Sequence, residues 1–220
     1  MTIQLLKATL DDVPELVDVY GDSFADFTIT RLCNPKGTQS PAARESHSGM
    51  LEMQIKDPVG LMVKAVDTET GEILGYARWS MYLSGRTEEE LNAPVPQRPA
   101  NPEIIVELRD NFLNLLDKTR KEVMGGKPHC ILNVLAVSPK HQRRGIGALL
   151  IGYGSDIADK EGVETYLEST PPGYELYKRN GFQDVGTISL DIGKWSGKEG
   201  EMYVIPKMIR PAQGKEPLLN

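Results

Sequence analysis

A strand that leads directly into a glycine-rich basic loop and a helix most constrains how this chain can fold. Residues 130–137 read Cys-Ile-Leu-Asn-Val-Leu-Ala-Val, a mostly apolar run of strand length. Residues 141–148 follow as His-Gln-Arg-Arg-Gly-Ile-Gly-Ala, and apolar residues then recur at helical spacing. The first turn of a helix presents backbone N–H groups without intrahelical partners, at the positive end of the helix dipole. The junction therefore predicts a binding site for an anion such as a diphosphate.

Length and composition limit the classes of protein to which the chain can belong. Its 220 residues can bury a core, and its net charge of −6 argues against a dedicated nucleic-acid binder. We expect Cys33 and Cys130 to be reduced thiols rather than a disulfide. No signal peptide, membrane-spanning run or metal-ligand spacing is evident, so we expect a cytoplasmic protein without a membrane partner or a metal.

Hydrophobic periodicity predicts strands alternating with helices along most of the chain. The predicted strands are 3–7, 60–66, 73–82, 130–137, 163–168, 183–191 and 202–208. Helix-start residues precede the predicted helices at Thr9, Ser40-Pro41, Pro102, the glycine-rich loop and Pro171. A hairpin before and after a central strand–helix–strand unit indicates an α/β fold with a mixed sheet.

The same pattern predicts the domain organisation. We expect residues 1–210 to form a single domain. Segment 84–126 is predicted to be a loop plus helix, inserted before the central strand. Residues 211–220 contain proline and glycine, and we expect them to form a flexible tail.

Three kinds of phosphate-binding loop could occupy the junction. A dinucleotide-binding loop would need a third glycine near position 150, where the chain has Leu150. A Walker loop needs Gly-Lys followed by Ser or Thr, and no Gly-Lys pair of the chain satisfies this. The third pattern, Gln142-x-x-Gly145-x-Gly147, is present. It resembles the acetyl-CoA pyrophosphate loop of the GNAT superfamily of N-acetyltransferases.

A second motif supports this resemblance. A predicted strand ends at Leu167-Glu168-Ser169-Thr170, and a short predicted helix then carries Leu176-Tyr177 and closes on Gly181-Phe182. Two motifs in this order and at compatible spacing are more specific than either alone. The resemblance covers most of residues 1–210 and implies a GNAT-like mixed, splayed β-sheet flanked by helices. The 84–126 insertion is its clearest departure from the family.

The resemblance implies acetyl-CoA as the acyl donor. Main-chain groups of residues 135–137 are expected to pair with the pantetheine arm, and the loop is expected to bind the pyrophosphate through backbone amides and polar side chains. The expected cofactor-binding residues are Leu135, Ala136, Val137, Gln142, Arg143, Arg144, Gly145, Ile146, Gly147, Ala148, Thr170 and Tyr177.

The resemblance also implies a catalytic role for Tyr177. The matching tyrosine of the family protonates the departing thiolate, and a phenol suits this task because it is neutral at pH 7. The acceptor amine would attack acetyl-CoA directly, without a covalent enzyme intermediate. A backbone N–H near Leu135 would polarise the thioester carbonyl, as in an oxyanion hole.

The acceptor ammonium must lose a proton before it attacks. Glu168 is the candidate catalytic carboxylate, and an ordinary strand-end carboxylate is the alternative interpretation. Asn133 as a water-positioning amide and His129 are further candidates. His47 and His141 are predicted to be exposed.

The resemblance places the acceptor pocket between the first helices and the final hairpin. Phe27, Arg31 and Trp79 are the candidate substrate-binding residues, and the aromatic side chains of this region favour a small amine. Alternatives are a lysine or peptide acceptor, O-acetyl transfer, a longer acyl-CoA, and a catalytically silent acyl-CoA-binding regulatory module. The apolar face of the insertion helix could close this pocket or form a homodimer.

Overall fold

Seven strands form one mixed sheet in the computed structural model, which describes residues 2–93, 98–99 and 101–214. The strands are β1 (Ile3–Lys7), β2 (Gly60–Asp67), β3 (Ile73–Tyr82), β4 (His129–Val137), β5 (Glu164–Glu168), β6 (Gln183–Asp191) and β7 (Met202–Arg210). Their order across the sheet is β1-β2-β3-β4-β5-β7-β6. The β4–β5 pair is parallel and the other pairs are antiparallel. The predicted α/β fold with a mixed sheet is confirmed.

Helices cover both faces of this sheet. They are α1 (Val13–Phe24), α2 (Thr28–Cys33), α3 (Pro41–Lys56), α4 (Glu88–Asn92), α5 (Val106–Met124), α6 (Ile146–Glu161), α7 (Tyr174–Arg179) and α8 (Gly193–Ser196). Residues of α6 and α7 pack on one face, around the fully buried Trp79. Residues of α1, α3 and α5 pack on the other face, where Tyr76 and Ala136 are buried.

Two helix starts form as the sequence predicts. The backbone N–H of Thr9 donates to Asp12 Oδ2 at 2.7 Å, in the turn that leads into α1. Ser40 Oγ accepts from the backbone N–H of Ala43 at 3.2 Å, with Pro41 in the first turn of α3. These contacts satisfy backbone donors that the helices leave without partners.

The segment before β4 differs from the prediction in two respects. The predicted loop contains α4, because Thr87 and Glu90 cap it reciprocally at 3.2 and 2.7 Å. Helix α5 begins at Val106 rather than at Pro102. Asn101 Oδ1 accepts from the backbone N–H of Glu103 at 2.9 Å and holds that stretch in a turn. Residues 94–97 of the predicted loop and 215–220 of the predicted tail lie outside the described residues.

The apolar face of α5 is buried against its own chain. Leu108 packs with residues of α2, Leu116 packs with residues of β6 and β7, and Met124 packs with residues of β4 and β5. This burial accounts for the apolar pattern without a second copy of the protein, so a homodimer stays a prediction.

The sheet opens between its two parallel strands. Strands β4 and β5 pair from His129 opposite Glu164 to Ile131 opposite Tyr166, and no further. Beyond that point β5 pairs with β7 alone, at Leu167 and Glu168. The rest of β4, residues 132–137, therefore has no strand partner on this side. The predicted splayed sheet is confirmed, and we refer to the opening as the gap.

Helix α6 offers a test of this packing. A Cβ built on Gly154 would lie 2.2 Å from the ring of Trp79, whereas one on Gly152 would meet nothing within 4 Å. We expect Gly154→Ala to lower the free energy of unfolding by about 1–3 kcal/mol through overpacking. Its control, Gly152→Ala, should raise it by up to about 1 kcal/mol, because alanine favours the helix. Urea denaturation measures both, and equal effects would contradict the packing.

Candidate active site at the gap between β4 and β5

The backbone of β4 presents two residues to the gap. The N–H of Ser138 donates to the Leu74 carbonyl of β3 at 2.9 Å. Because successive residues of a strand direct their polar groups to opposite sides, Ala136 also faces β3, and Leu135 and Val137 face the gap. Of the three predicted main-chain contacts, the structure therefore brings two to the gap and turns Ala136 away from it.

The carbonyl of Val137 joins three elements at the mouth of the gap. It accepts from Ser23 Oγ of α1 at 3.0 Å and from Gln142 Nε2 of the loop at 3.1 Å. The predicted cofactor-binding Gln142 thus uses its side chain to fix the loop to the end of β4. The end of α1 and the glycine-rich loop are held together around the open strand.

The loop forms an anion cradle at the start of α6. Arg143 and Gly145 adopt left-handed backbone angles, with φ of 64° and 82°. Gly145 is the N-cap residue and no side chain caps this helix end, so the backbone N–H groups of Ile146, Gly147 and Ala148 have no intrahelical partners. A Cβ on Gly145 would meet nothing within 4 Å, which leaves the approach to these groups open. The residues present fit a diphosphate.

The two arginines of the loop point to different surroundings. Arg144 contacts His141 Nδ1 at 2.9 Å, and His141 Nε2 contacts Glu72 Oε1 at 3.0 Å. Arg144 is therefore directed toward the β2–β3 connection. Arg143 is exposed, and its side chain makes no hydrogen bond or ion pair with any other described residue. Of the two, Arg143 is the better placed for a bound anion.

Helix α7 brings Tyr177 to the same end of β4. A Cβ built on Gly147 would lie 2.9 Å from Leu176 Cδ2 and 3.8 Å from Leu135 Cδ2, so α7, α6 and β4 meet there. Tyr177 is 7% exposed, and its burial raises its pKa well above the ordinary value. Its hydroxyl makes no hydrogen bond with any other described residue. Thr170 lies nearby, at the start of the turn that precedes α7.

A polar cluster lies on the opposite face of the sheet. Arg78 pairs with Val134 and Trp79 with Leu132, so Asn133 is the extra residue of a β-bulge. Asn133 Oδ1 accepts from Ser80 Oγ at 2.9 Å and from Arg78 at 3.1 Å. The sequence analysis did not select Arg78, although an arginine within an apolar strand is the signal that could have found it.

Glu168 is held in a bidentate ion pair. Arg120 of α5 donates to its two carboxylate oxygens at 2.9 and 2.7 Å, and the Glu168 side chain is only 6% exposed. Both carboxylate oxygens of Glu168 are therefore already engaged by a guanidinium. This placement favours the strand-end interpretation of Glu168, which anchors the insertion helix to β5.

His129 and His47 lie away from the gap, whereas His141 lies in the glycine-rich loop and is half-buried rather than exposed as predicted. His129 begins β4 at its paired end, is buried, and contacts the Lys127 carbonyl at 2.6 Å. The prediction that His47 is exposed is wrong. Its ring stacks on Tyr20 of α1 at 3.8 Å between centroids, and burial lowers its pKa to about 4.

The three predicted acceptor residues do not come together. Trp79 is fully buried against Gly154 of α6, in the core. Phe27 is half-buried beside Phe24, at 5.3 Å between ring centroids, and Arg31 is exposed on the outer side of α2. A cavity of about 180 Å³ lies between α1, α2, α3 and α5. We call it the α1–α5 cavity.

Among the described residues, no group of three or more His, Cys, Asp or Glu side chains could hold a metal ion. None of the helices in residues 2–93, 98–99 and 101–214 is long and apolar enough to cross a membrane. Cys33 and Cys130 are free and buried.

Comparison with known families identifies the family of this chain. Residues 27–182 match the model of the Acetyltransferase (GNAT) family. The chain belongs to the GNAT acetyltransferase family. The gap, the loop and α7 thus occur in an acetyltransferase of the GNAT family, and the predicted membership is confirmed.

Solved GNAT structures share the fold over nearly the whole chain. A histone acetyltransferase HPA2 and related acetyltransferase from Corynebacterium glutamicum is 24% identical with a TM-score of 0.60, and the alignment covers 98% of this chain and 99% of that one. Arylalkylamine N-acetyltransferase 2 from Aedes aegypti is 14% identical with a TM-score of 0.66, over 97% and 100%. PaiA N-acetyltransferase from Thermoplasma acidophilum, solved in complex with coenzyme A, is 16% identical with a TM-score of 0.54, over 96% and 99%.

One curated relative matches over a shorter stretch. "Probable acyltransferase SID5" of Ajellomyces capsulatus is 42% identical over 53 residues. The match covers 24% of this chain and 39% of that relative, so it spans about two fifths of the relative's length.

The burial of His47 gives a pH prediction. In the unfolded chain a histidine has a pKa of about 6.5, so between about pH 7 and pH 4 the unfolded state binds a proton that the folded state does not. The free energy of unfolding should therefore decrease as the pH is lowered from about 7 to about 4, and His47 should contribute up to roughly 3 kcal/mol of this decrease. His47→Phe keeps a ring on Tyr20 and removes the titration. Urea denaturation at several pH values should show a smaller fall in the variant, and parallel curves would contradict this assignment.

Proposed function

We propose that this protein transfers an acetyl group from acetyl-CoA to the amine of a small molecule by direct attack. One observation carries the proposal. The backbone N–H groups of Leu135 and Val137 face the gap, and the helix start at 145–148 and the helix that carries the buried Tyr177 both pack beside this end of β4. An extended acyl donor with a diphosphate needs these three features close together.

Each part of the chain has a distinct task in this proposal. Acetyl-CoA supplies an activated acetyl group as a thioester. The main chain of Leu135 and Val137 would bind the arm of the donor, and the amides of Ile146, Gly147 and Ala148 would bind its diphosphate, with Arg143 beside them. The N–H of Leu135 is also the donor that would stabilise negative charge on the carbonyl oxygen.

We assign the general acid to Tyr177. Burial raises the pKa of this phenol, so it is fully protonated at pH 7 and can give its proton to a departing thiolate. Tyr174, on the same helix, is a weaker candidate, because its hydroxyl donates to Asp184 Oδ2 at 2.7 Å.

The proton of the acceptor ammonium must leave by another route. Glu168 is occupied by Arg120, and His129 lies at the paired end of β4. Asn133 is at the bulge beside the gap and is held by Ser80 and Arg78. We propose that Asn133 positions a water that accepts the proton.

A small acceptor is supported by the shape of the cavity. The α1–α5 cavity measures about 180 Å³, which suits a small organic molecule better than a peptide segment. The Aedes aegypti neighbour is named an arylalkylamine N-acetyltransferase. We further propose that residues 1–210 form a single domain and that the protein is cytoplasmic.

Replacement of Tyr177 tests the proposed acid. We expect Tyr177→Phe to lower kcat by about 100-fold or more, since a positioned acid contributes that much, while coenzyme A still binds. Tyr174→Phe is the matched control on the same helix and should keep its kcat. The measurement is thiol release from acetyl-CoA with a panel of amines, together with calorimetric titration of coenzyme A.

Other outcomes would contradict the proposal in distinct ways. An unchanged kcat in Tyr177→Phe would remove Tyr177 as the acid. Coenzyme A binding without thiol release by any amine would favour the regulatory acyl-CoA-binding module. Acetylated lysine in peptides, detected by mass spectrometry, would favour a peptide acceptor. Ester products would indicate O-acetyl transfer, and faster release from longer acyl-CoA donors would identify a different acyl group.

A further inference from the structure

The lining of the α1–α5 cavity is positively charged. Arg98 and Arg109 line it, and no aspartate or glutamate is among its described lining residues. The remaining polar lining residues are Tyr20, Thr30, Asn34, Thr38, Ser46, His47 and Asn101. In a chain with a net charge of −6, the two arginines make the lining itself cationic, although Asp110 beside it pairs with Arg109.

Arg98 has no carboxylate partner among the described residues. Its side chain donates one hydrogen bond among the described residues, to the sulfur of Met50 at 3.5 Å. Burial lowers its pKa, repulsion from Arg109 and Arg120 lowers it further, and attraction to Asp110 raises it in part. A partly buried guanidinium in this setting has donors available for an anion. Arg109 differs, because it pairs with its neighbour Asp110 at 2.8 Å.

The neutral groups of the lining are compatible with an anion. Burial lowers the pKa of His47 to about 4, so its ring is uncharged at pH 7. His47 Nε2 is buried without a hydrogen-bond partner in the described chain. An uncharged imidazole can donate one hydrogen bond and adds no negative charge.

Helix α5 links the cavity to the gap. Arg109 and Leu113 line the cavity, and Arg120 on the same face of the helix holds Glu168 at the end of β5. Eleven residues of helix span about 16 Å. The cavity and the Arg120–Glu168 pair at the end of β5 therefore lie along the same face of α5.

We propose that the α1–α5 cavity binds an anionic group of the acceptor, a carboxylate or a phosphate, through Arg98, while the amine of the acceptor lies toward the gap. The inference rests on the proposed function and narrows its acceptor to amines that carry a negative charge at the far end. The cation-rich lining would repel a diamine from the same position.

A kinetic comparison tests this acceptor class. We would measure thiol release with ω-aminocarboxylates of increasing chain length, the corresponding uncharged amides, and ω-aminoalkyl phosphates. An anionic acceptor should have a kcat/KM at least tenfold above that of its uncharged amide. The anion with the higher kcat/KM, carboxylate or phosphate, is then the group that the cavity binds. Arg98→Gln should raise KM for the anionic acceptors by about 10- to 100-fold and leave the amides unchanged, because a hydrogen bond to a charged group is lost.

The controls separate the cavity from general effects of charge. If Arg98→Gln does not fold, Arg109→Gln takes its place as the test variant. Arg109 also lines the cavity, so this variant should weaken the same preference. Lys118→Gln removes one positive charge from the exposed side of α5 and should keep the preference. Equal kcat/KM for anions and amides, or equal loss for both in Arg98→Gln, would overturn the proposal.

A direct binding measurement separates this inference from the proposed function. Butyrate and its uncharged amide are compared by ligand-observed NMR in the presence of saturating coenzyme A. Wild-type protein should bind butyrate at least tenfold more tightly than the amide, and Arg98→Gln should lose the difference. Absence of thiol release with every amine would contradict the proposed function alone. Absence of butyrate preference would contradict the anion site alone.

Discussion

The parting of two parallel strands is the constraint on which the rest of the site depends. Beyond Ile131 and Tyr166 the strands β4 and β5 no longer pair, so β4 keeps main-chain groups that a closed sheet would have satisfied. Such groups are costly to bury without partners, and an extended ligand can supply them. The bulge at Asn133 contributes to this opening. It disrupts the hydrogen-bond ladder between β3 and β4, close to the point where the pairing of β4 with β5 ends.

The two faces of the sheet divide the chemistry between them. The face covered by α6 and α7 carries the anion cradle and Tyr177, and Leu176 joins α7 to Gly147. The other face carries the cluster around Asn133, the Arg120–Glu168 pair and the α1–α5 cavity. A donor bound from one face and an acceptor bound from the other would meet at the gap, without either one crossing the core.

The sequence predicted the fold well, since local patterns encode it, and it located the loop at which we propose that the donor binds. The spacing of apolar residues identifies the strands and helices. The glycine pattern at 142–147 marks the start of α6, where the positive φ of Gly145 favours glycine. The acceptor half could not be predicted, because it depends on contacts between distant segments. Trp79 is a core residue owing to its contact with Gly154, and His47 is buried owing to its stacking on Tyr20. No sequence period encodes the bidentate pair between Arg120 and Glu168.

Amide hydrogen exchange with and without coenzyme A tests the central claim most directly. The claim is that the open edge of β4 and the start of α6 form one donor site. Coenzyme A should slow exchange at Leu135, Val137 and residues 146–148, and leave the β1–β2 pair unchanged, since Leu5 and Ala65 already lie opposite each other in a closed ladder. Binding of coenzyme A without protection of Leu135 and Val137 would contradict the claim.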